Sequence, residues 1–361
     1  MATRTTKSAR ALKPTRDTTA TPSASPSSRS SRSSPSTLPS STTNLTLPAD
    51  PKKKLGSFAG HIGDCRTILA SLPEAKGHEF DLVFADPPFN WNRDYDRWKR
   101  EQAGAVKPGS ANYDTWHDGI PREDYIQFTE EWIAACGHAL RPGGALWINI
   151  PDDTAAEIVC FVKSELKFDM AAWCIWHYRF GQNRQNSFIN SKVHALYFVK
   201  PGGPRTWNSG PILELSDRAT TYFDPRTLSK KDGMPAGKRV PMDVWYGPYW
   251  GRVQGNNKER RHGHDNQLPE AYLERVILAC SHEGDLVLDP FLGSGTTAVV
   301  AREYNRRFIG CEFSRANAES AFERIAKIGM IAKGRAVGAS SAIFKPRATG
   351  QKTKALFNQA D

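Results

Sequence analysis

The residues Asp86-Pro87-Pro88-Phe89 carry the most specific chemistry in the chain. An exocyclic amine on a base is a poor nucleophile, because its lone pair is delocalised into the ring. A carboxylate and a backbone carbonyl that accept its two N–H hydrogens draw the nitrogen toward tetrahedral geometry and return the lone pair. Asp86 is placed to be the first acceptor. The Pro87 carbonyl is placed to be the second, since a stiff Pro-Pro turn has no ladder partner for it. Phe89 offers a flat face on which a flipped-out base can stack.

A second constellation lies near the other end. Asp285-Leu286-Val287-Leu288-Asp289 reads as a strand, Pro290 to Thr297 as a glycine-rich turn into a helix, and Arg307 to Glu312 as the next strand. Gly293 and Gly295 let a ligand approach the backbone closely. Glu312, about 20 residues on, is placed to take a ribose diol. The stretch Gly293 to Ala298 also satisfies G-x-G-x-x-A, which raises a nicotinamide-dinucleotide reading. Two features point elsewhere. The unit completes a sheet begun far upstream, and the chain shows no hydride-transfer acid/base pair. A cofactor with adenine and ribose that donates a methyl group, S-adenosylmethionine, fits the amine-activating turn better.

These residues need a sheet to hold them. Leu82 to Ala85 is a short apolar run, the look of a strand buried on both faces, and Pro87 ends it. Asp86 therefore sits at a strand's carboxyl end, where ligands bind in open α/β sheets. Gly63-Asp64-Cys65 closes an earlier short strand. Helices are expected over 121–140, from Asp152 or Asp153 to Lys167, over 268–279, from the glycine turn to about 304, and over 314–328. Strands are expected at 145–150, 170–178 and 193–199, with Arg141-Pro142-Gly143-Gly144 as a stop between helix and strand. Residues 90–120 mix Trp91, Tyr95, Trp98, Tyr113 and Trp116 with arginine and lysine, which suits a lid over a base or a grip on a backbone. Arg179 to Asn186 is a polar connection rich in residue types that contact bases and phosphates.

The chain has 361 residues, 39% hydrophobic and 24% charged, which is enough for one large α/β domain with an inserted module. Its net charge of +11 implies a polyanionic partner. No run approaches the roughly 20 apolar residues of a membrane helix. The six cysteines form no Cys-x-x-Cys pair and read as reduced and buried. No ligand-spaced cluster completes a metal site around His262, His264 and Asp265. The organisation expected is a disordered basic tail over 1–54, one half of the main domain over 55–200, an insert over 201–263, the cofactor half over 264–329 and a second basic tail over 330–361. The Arg/Ser-rich start also resembles an organelle transit peptide; a solvated arm that attracts phosphate is the favoured reading.

Asp289-Pro-Phe-Leu-Gly-Ser-Gly-Thr-Thr297 resembles the cofactor loop of DNA amino-methyltransferases, and Asp86-Pro87-Pro88-Phe89 resembles their catalytic motif. His264-Asp-Asn-Gln267-Leu-Pro269 is similar to the stretch just ahead of that loop, and Gly63-Asp64-Cys65 to their short acid strand. Catalytic motif first, insert second and cofactor loop last is the permuted order of the β class. The resemblance covers about 58–328. It implies a Rossmann-like, doubly wound α/β sheet, circularly permuted, mostly parallel with one antiparallel strand, and a target-recognition insert. It implies that Asp289, Phe291, Gly293, Gly295 and Thr296 line the methionine end of S-adenosylmethionine, with Ser294 and Gln267 in the same cofactor-binding set. Glu312 would take the ribose, and Asp64 with Cys65 the adenine. Asp ahead of Pro-Pro favours adenine N6 over cytosine N4. Double-stranded DNA is the expected partner, a homodimer is allowed, no membrane is expected, and the setting is cytoplasmic and nucleoid-associated. A cofactor- and DNA-binding module without turnover, and RNA as substrate, remain open alternatives. Lys192-Val193 stands where the family often has His-Glu.

Overall fold

The computed structural model describes residues 44–91, 119–178, 185–227, 235–246, 253, 259–260 and 266–328. The expected tails before residue 44 and after residue 328, nearly all of the aromatic-basic loop, Arg179 to Arg184 and the His262–Asp265 stretch lie outside the described residues.

Nine strands form one sheet in the order β1-β2-β11-β10-β3-β4-β6-β5-β9. They are β1 (Asn44–Leu47), β2 (Phe58–Ile62), β3 (Phe80–Ala85), β4 (Leu140–Ile150), β5 (Asp169–His177), β6 (Lys192–Val199), β9 (Val244–Trp245), β10 (Leu286–Asp289) and β11 (Arg307–Glu312). The short strands β7 (Glu214–Leu215) and β8 (Lys238–Arg239) pair separately. The five central strands β2, β11, β10, β3 and β4 are all parallel. Strand β6 runs antiparallel to both β4 and β5.

Side-chain alternation explains why helices cover both faces. Leu82 and Phe84 of β3 point to one layer, with Tyr272, Leu273, Val276, Ala298 and Ile325. Val83 and Ala85 point to the other, with Ile68, Trp132, Ile133, Ile158 and Val162. The first layer is covered by helices over Glu270–Cys280, Thr296–Glu303 and Arg315–Ala326. The second is covered by Cys65–Ser71, Arg122–Ala139 and Ala155–Ser164.

Three expectations need correction. The tail placed over 1–54 overlaps a strand: Asn44 to Leu47 pair antiparallel with β2. Leu45 and Leu47 alternate with exposed Asn44 and Thr46, a two-residue period hidden by serine- and threonine-rich surroundings. This edge strand is a second antiparallel member of the sheet, beyond the one expected. Residues 141–144 do follow the end of the helix, at Ala139, but the strand begins ahead of them, at Leu140. They form a bulge inside β4, because Phe80 faces Leu140 and then Leu82 faces Ala145. Gly143 there has φ +79, and a Cβ on it would stand 2.2 Å from the Pro204 carbonyl oxygen. The insert over 201–263 is not wholly separate, since β9 adds to the main sheet beside β5. Trp245 is buried there, its ring centroid 5.1 Å from that of Tyr272 and 5.6 Å from that of Trp147.

Candidate active site

The five parallel strands end at one edge, and four of them end on or just before an acid: Asp64 after β2, Glu312 in β11, Asp289 in β10 and Asp86 after β3. Val83 faces Leu288, so Asp86 and Asp289 leave adjacent strands close together. Segments about 200 residues apart in sequence thus meet at the sheet edge.

Asp86 is half-buried, and its carboxylate accepts a hydrogen bond from Asn149 Nδ2 at 3.0 Å. Asn149 sits in β4, 1% exposed. Its Oδ1 accepts from the Tyr272 hydroxyl at 2.6 Å. Burial pushes the Tyr272 phenol well above its ordinary pKa, helped by the negative Asp86 nearby, so the hydroxyl stays a donor. With a donor on its oxygen, Asn149 must turn its NH2 toward Asp86. The Pro88 carbonyl accepts from the Tyr125 hydroxyl at 2.8 Å, which anchors the turn to the helix Arg122–Ala139. Among the described residues no donor reaches the Pro87 carbonyl. Phe89 is buried and meets Trp91 edge-on at 5.0 Å. Asn90 has φ +55 and exchanges two 2.9 Å bonds with the Ile120 backbone, which holds residues 90 and 120 side by side.

The glycine-rich turn is built from the next strand over. Asp289 Oδ1 accepts the Phe291 N–H at 2.9 Å, and its carboxylate also takes the Thr297 hydroxyl. Burial raises the Asp289 pKa to about 7, and Asp86 and Glu312 add to the rise. That coupling records three carboxylates gathered in one place. Glu312 accepts from the Gly293 N–H at 2.8 Å on one oxygen and from the Ser314 N–H at 2.9 Å on the other. Gly295 precedes the helix Thr296–Glu303 with φ +74, and a Cβ on it would press within 3.0 Å of Ala321. A Cβ on Gly293 would instead stand clear, its nearest atom 3.7 Å away. Phe291 packs edge-on against Trp132 at 5.1 Å.

The remaining expected residues are placed as follows. Ser294 Oγ lies 3.1 Å from Thr296 Oγ1. Asp64 caps the helix Cys65–Ser71 and binds Arg66, Nη2 to Oδ2 at 2.6 Å. Cys65 turns its thiol into the apolar layer, 4% exposed, and burial pushes its pKa up to about 12. Only its backbone is left to meet a ligand. Gln267 is buried and donates to the Glu259 carbonyl at 2.6 Å, toward the insert.

Sequence reasoning missed Asn149, Tyr272, Tyr125 and Arg324. Asn149 had a readable signal, a lone amide inside the apolar run Ala145 to Ile150. Arg324 is 5% exposed; it donates to the Ser294 carbonyl at 2.9 Å, to Thr296 Oγ1 at 3.1 Å and to Glu270 at 2.8 Å.

A family model described as DNA methylase, N6_N4_Mtase, matches residues 80–323. The type II methyltransferase M.HpaI of Haemophilus parainfluenzae is 29% identical over 261 residues, covering 72% of this chain and 73% of that one. M.ScaI of Streptomyces caespitosus is 29% identical over 277 residues, with 73% and 82% covered. M.BamHI of Bacillus amyloliquefaciens is 31% identical over 265 residues, which span 73% of this chain and 56% of that relative. Among solved structures, the M1.HpyAVI–SAM complex superposes with a TM-score of 0.50 at 18% identity, covering 74% of this chain and 98% of that one. The cytosine-N4-specific PvuII DNA methyltransferase gives 0.50 at 15% identity, with 75% and 90% covered. At these identities the two structures speak for the fold, a mostly parallel Rossmann-like sheet.

Proposed function

We propose, from the premise that this chain belongs to the N6/N4 family of DNA methylases, that it methylates the N6 amine of adenine in duplex DNA, using S-adenosylmethionine. One observation carries the reading: Asp86 on its Pro-Pro turn leaves the sheet beside Asp289, Glu312 and the glycine-rich turn.

The residues present suit that cofactor. The row of acids favours a ligand with a sulfonium, an ammonium and a ribose diol. The open side of Gly293 lets such a ligand lie against the backbone. Glu312 is the residue for the ribose, with Asp64 and the Cys65 backbone toward the adenine. Phe291, Gly293, Ser294, Gly295 and Thr296 line the methionine end, and Asp289 holds that turn in shape. When bound, S-adenosylmethionine supplies an electrophilic methyl group on a positively charged sulfur.

The chain's own residues hold the acceptor. Asp86 accepts one N–H of the amine, and the Pro87 carbonyl accepts the other. Their pull would return the nitrogen lone pair and aim it at the methyl group that the bound cofactor would supply. The amine proton leaves by way of the Asp86 carboxylate to water. Asn149 and Tyr272 keep Asp86 aimed, and Phe89 stacks on the extruded base. Fixing the two reactants in line accounts for much of the acceleration. No covalent enzyme intermediate is needed; the raised pKa of Cys65 keeps it a thiol.

The segment 201–263 is the part proposed to read the target sequence. Its exposed Tyr222, Phe223 and Tyr246 support that role. Adenine is favoured over cytosine by the Asp at the head of the motif. The test is transfer of a tritiated methyl group to methylation-free genomic DNA, followed by nucleoside analysis. N6-methyladenine is expected. N4-methylcytosine would keep the reaction and correct the base, and label in RNA alone would overturn the substrate.

A further inference from the structure

The connection between β5 and β6 carries a feature that the chemistry above does not use. His177 pairs with Lys192, and Ile150 at the end of β4 pairs with His194. The connection therefore leaves the sheet at the same edge as Asp86. Its stem is tied down. Tyr178 N–H donates to the Ser191 carbonyl at 2.9 Å, and His177 Nδ1 lies 3.0 Å from the same oxygen. The Lys192 ammonium binds Asp152, two residues past β4, at 2.7 Å.

On this anchored stem Phe188 is 99% exposed and Ile189 48% exposed. Phe223, at 74%, and Phe313, at 39%, are the other exposed phenylalanines among the described residues; Phe188 is more exposed than either and, with Ile189 beside it, forms an apolar tip at the functional edge. Gln185, Asn186, Ser187 and Asn190 surround it in sequence and carry groups that bond phosphates and base edges. The proposed reaction needs its target base out of the duplex. Extrusion leaves a gap one base thick, and an apolar side chain that fills it keeps the flanking bases stacked.

We propose that Phe188, backed by Ile189, is the wedge that enters the DNA base stack when the target base is extruded toward Asp86. This rests on the methyl-transfer reading of the site. Phe188 touches no reacting atom and is a positioning residue.

The test uses the full chain and a synthetic duplex carrying the methylated site, located first by sequencing methylated genomic DNA. The target base is placed opposite either its normal partner or a pyrene nucleotide, which fills the space of the pair and expels the base. Phe188→Ala should lose about ten- to a hundredfold in kcat/KM on the normal duplex and regain most of it opposite pyrene. Its melting temperature should match the wild type, because the ring packs on nothing that holds the fold. Phe188→Trp should stay near wild type on both duplexes, and Asp86→Ala should be inactive on both. No loss on the normal duplex, or an equal loss on both, overturns the wedge. A wild-type chain that transfers no methyl group to any DNA overturns instead the reading on which the wedge rests.

Discussion

Two hydroxyl-bearing rings decide how the acidic turn is presented. The Tyr272 hydroxyl fixes which end of the Asn149 amide faces Asp86. Tyr272→Phe keeps the ring and removes only that instruction. The amide then loses the bond that fixes its orientation, and its NH2 is held less firmly against Asp86. The loss of one such bond, about 1–1.5 kcal/mol, corresponds to roughly a tenfold fall in kcat. Steady-state assays should find that fall with cofactor affinity unchanged; an unaltered kcat contradicts the role. Asp289 gives a pH signature. Its pKa is about 7 in the fold and near 3.8 in the unfolded chain. Between those values the folded protein holds a proton that the unfolded chain has given up. Stability therefore falls as pH rises from about 4 to 7, by at most about 4 kcal/mol. Asp289→Asn can still accept the Phe291 N–H and the Thr297 hydroxyl, and it carries no such penalty. Denaturant titrations of the cofactor-free protein should show the variant's advantage growing from pH 4 to pH 8. A pH-independent difference contradicts the buried acid.

At the scale of elements, one ion pair ties three pieces of the cofactor half together. Arg324, from the helix Arg315–Ala326, grips Glu270 at the start of Glu270–Cys280 and also holds the glycine-rich turn through Ser294 and Thr296. Glu270's own N–H donates to Glu259 of the insert at 3.1 Å. Arg324→Leu removes a buried charge partner of Glu270 together with the bonds to the glycine-rich turn, and should cost about 3–5 kcal/mol of stability. Adding Glu270→Leu should recover most of that, because two apolar side chains replace a pair that had to be desolvated. Cofactor affinity, read by calorimetry, should stay weakened in the double variant, since the turn has lost its arginine. Full recovery of affinity would reduce Arg324 to a packing residue. None of this was legible in sequence, where Arg324 is one basic residue on an amphipathic helix. The glycine-rich turn and the acid-ended strands were legible because apolar runs, glycines and prolines punctuate the chain locally. The bulge in β4 was not, because Pro142-Gly143-Gly144 reads as an end unless the partner strand is known.

For the whole molecule, the meeting of the two motifs was readable because each lies at a strand's end and the sheet brings such ends to one edge. What sequence could not give was the wiring between them. Asn149 and Tyr272 are 123 residues apart and meet only through β4 and the first helix of the cofactor half. The join between insert and sheet was hidden for a similar reason: β9 has two residues, too few to show a period, and its pairing with β5 and the burial of Trp245 appear only in the fold. A net charge of +11 draws the molecule to polyanions without selecting one. Selection falls to the site, whose central element is Asp86 beside the glycine-rich turn. The direct measurement is methyl transfer by Asp86→Ala to genomic DNA, made alongside its cofactor affinity by calorimetry and its DNA affinity by filter binding. Transfer should fall at least a thousandfold while both affinities stay within a few-fold of wild type. Transfer within tenfold of wild type would contradict the assignment of the amine to Asp86.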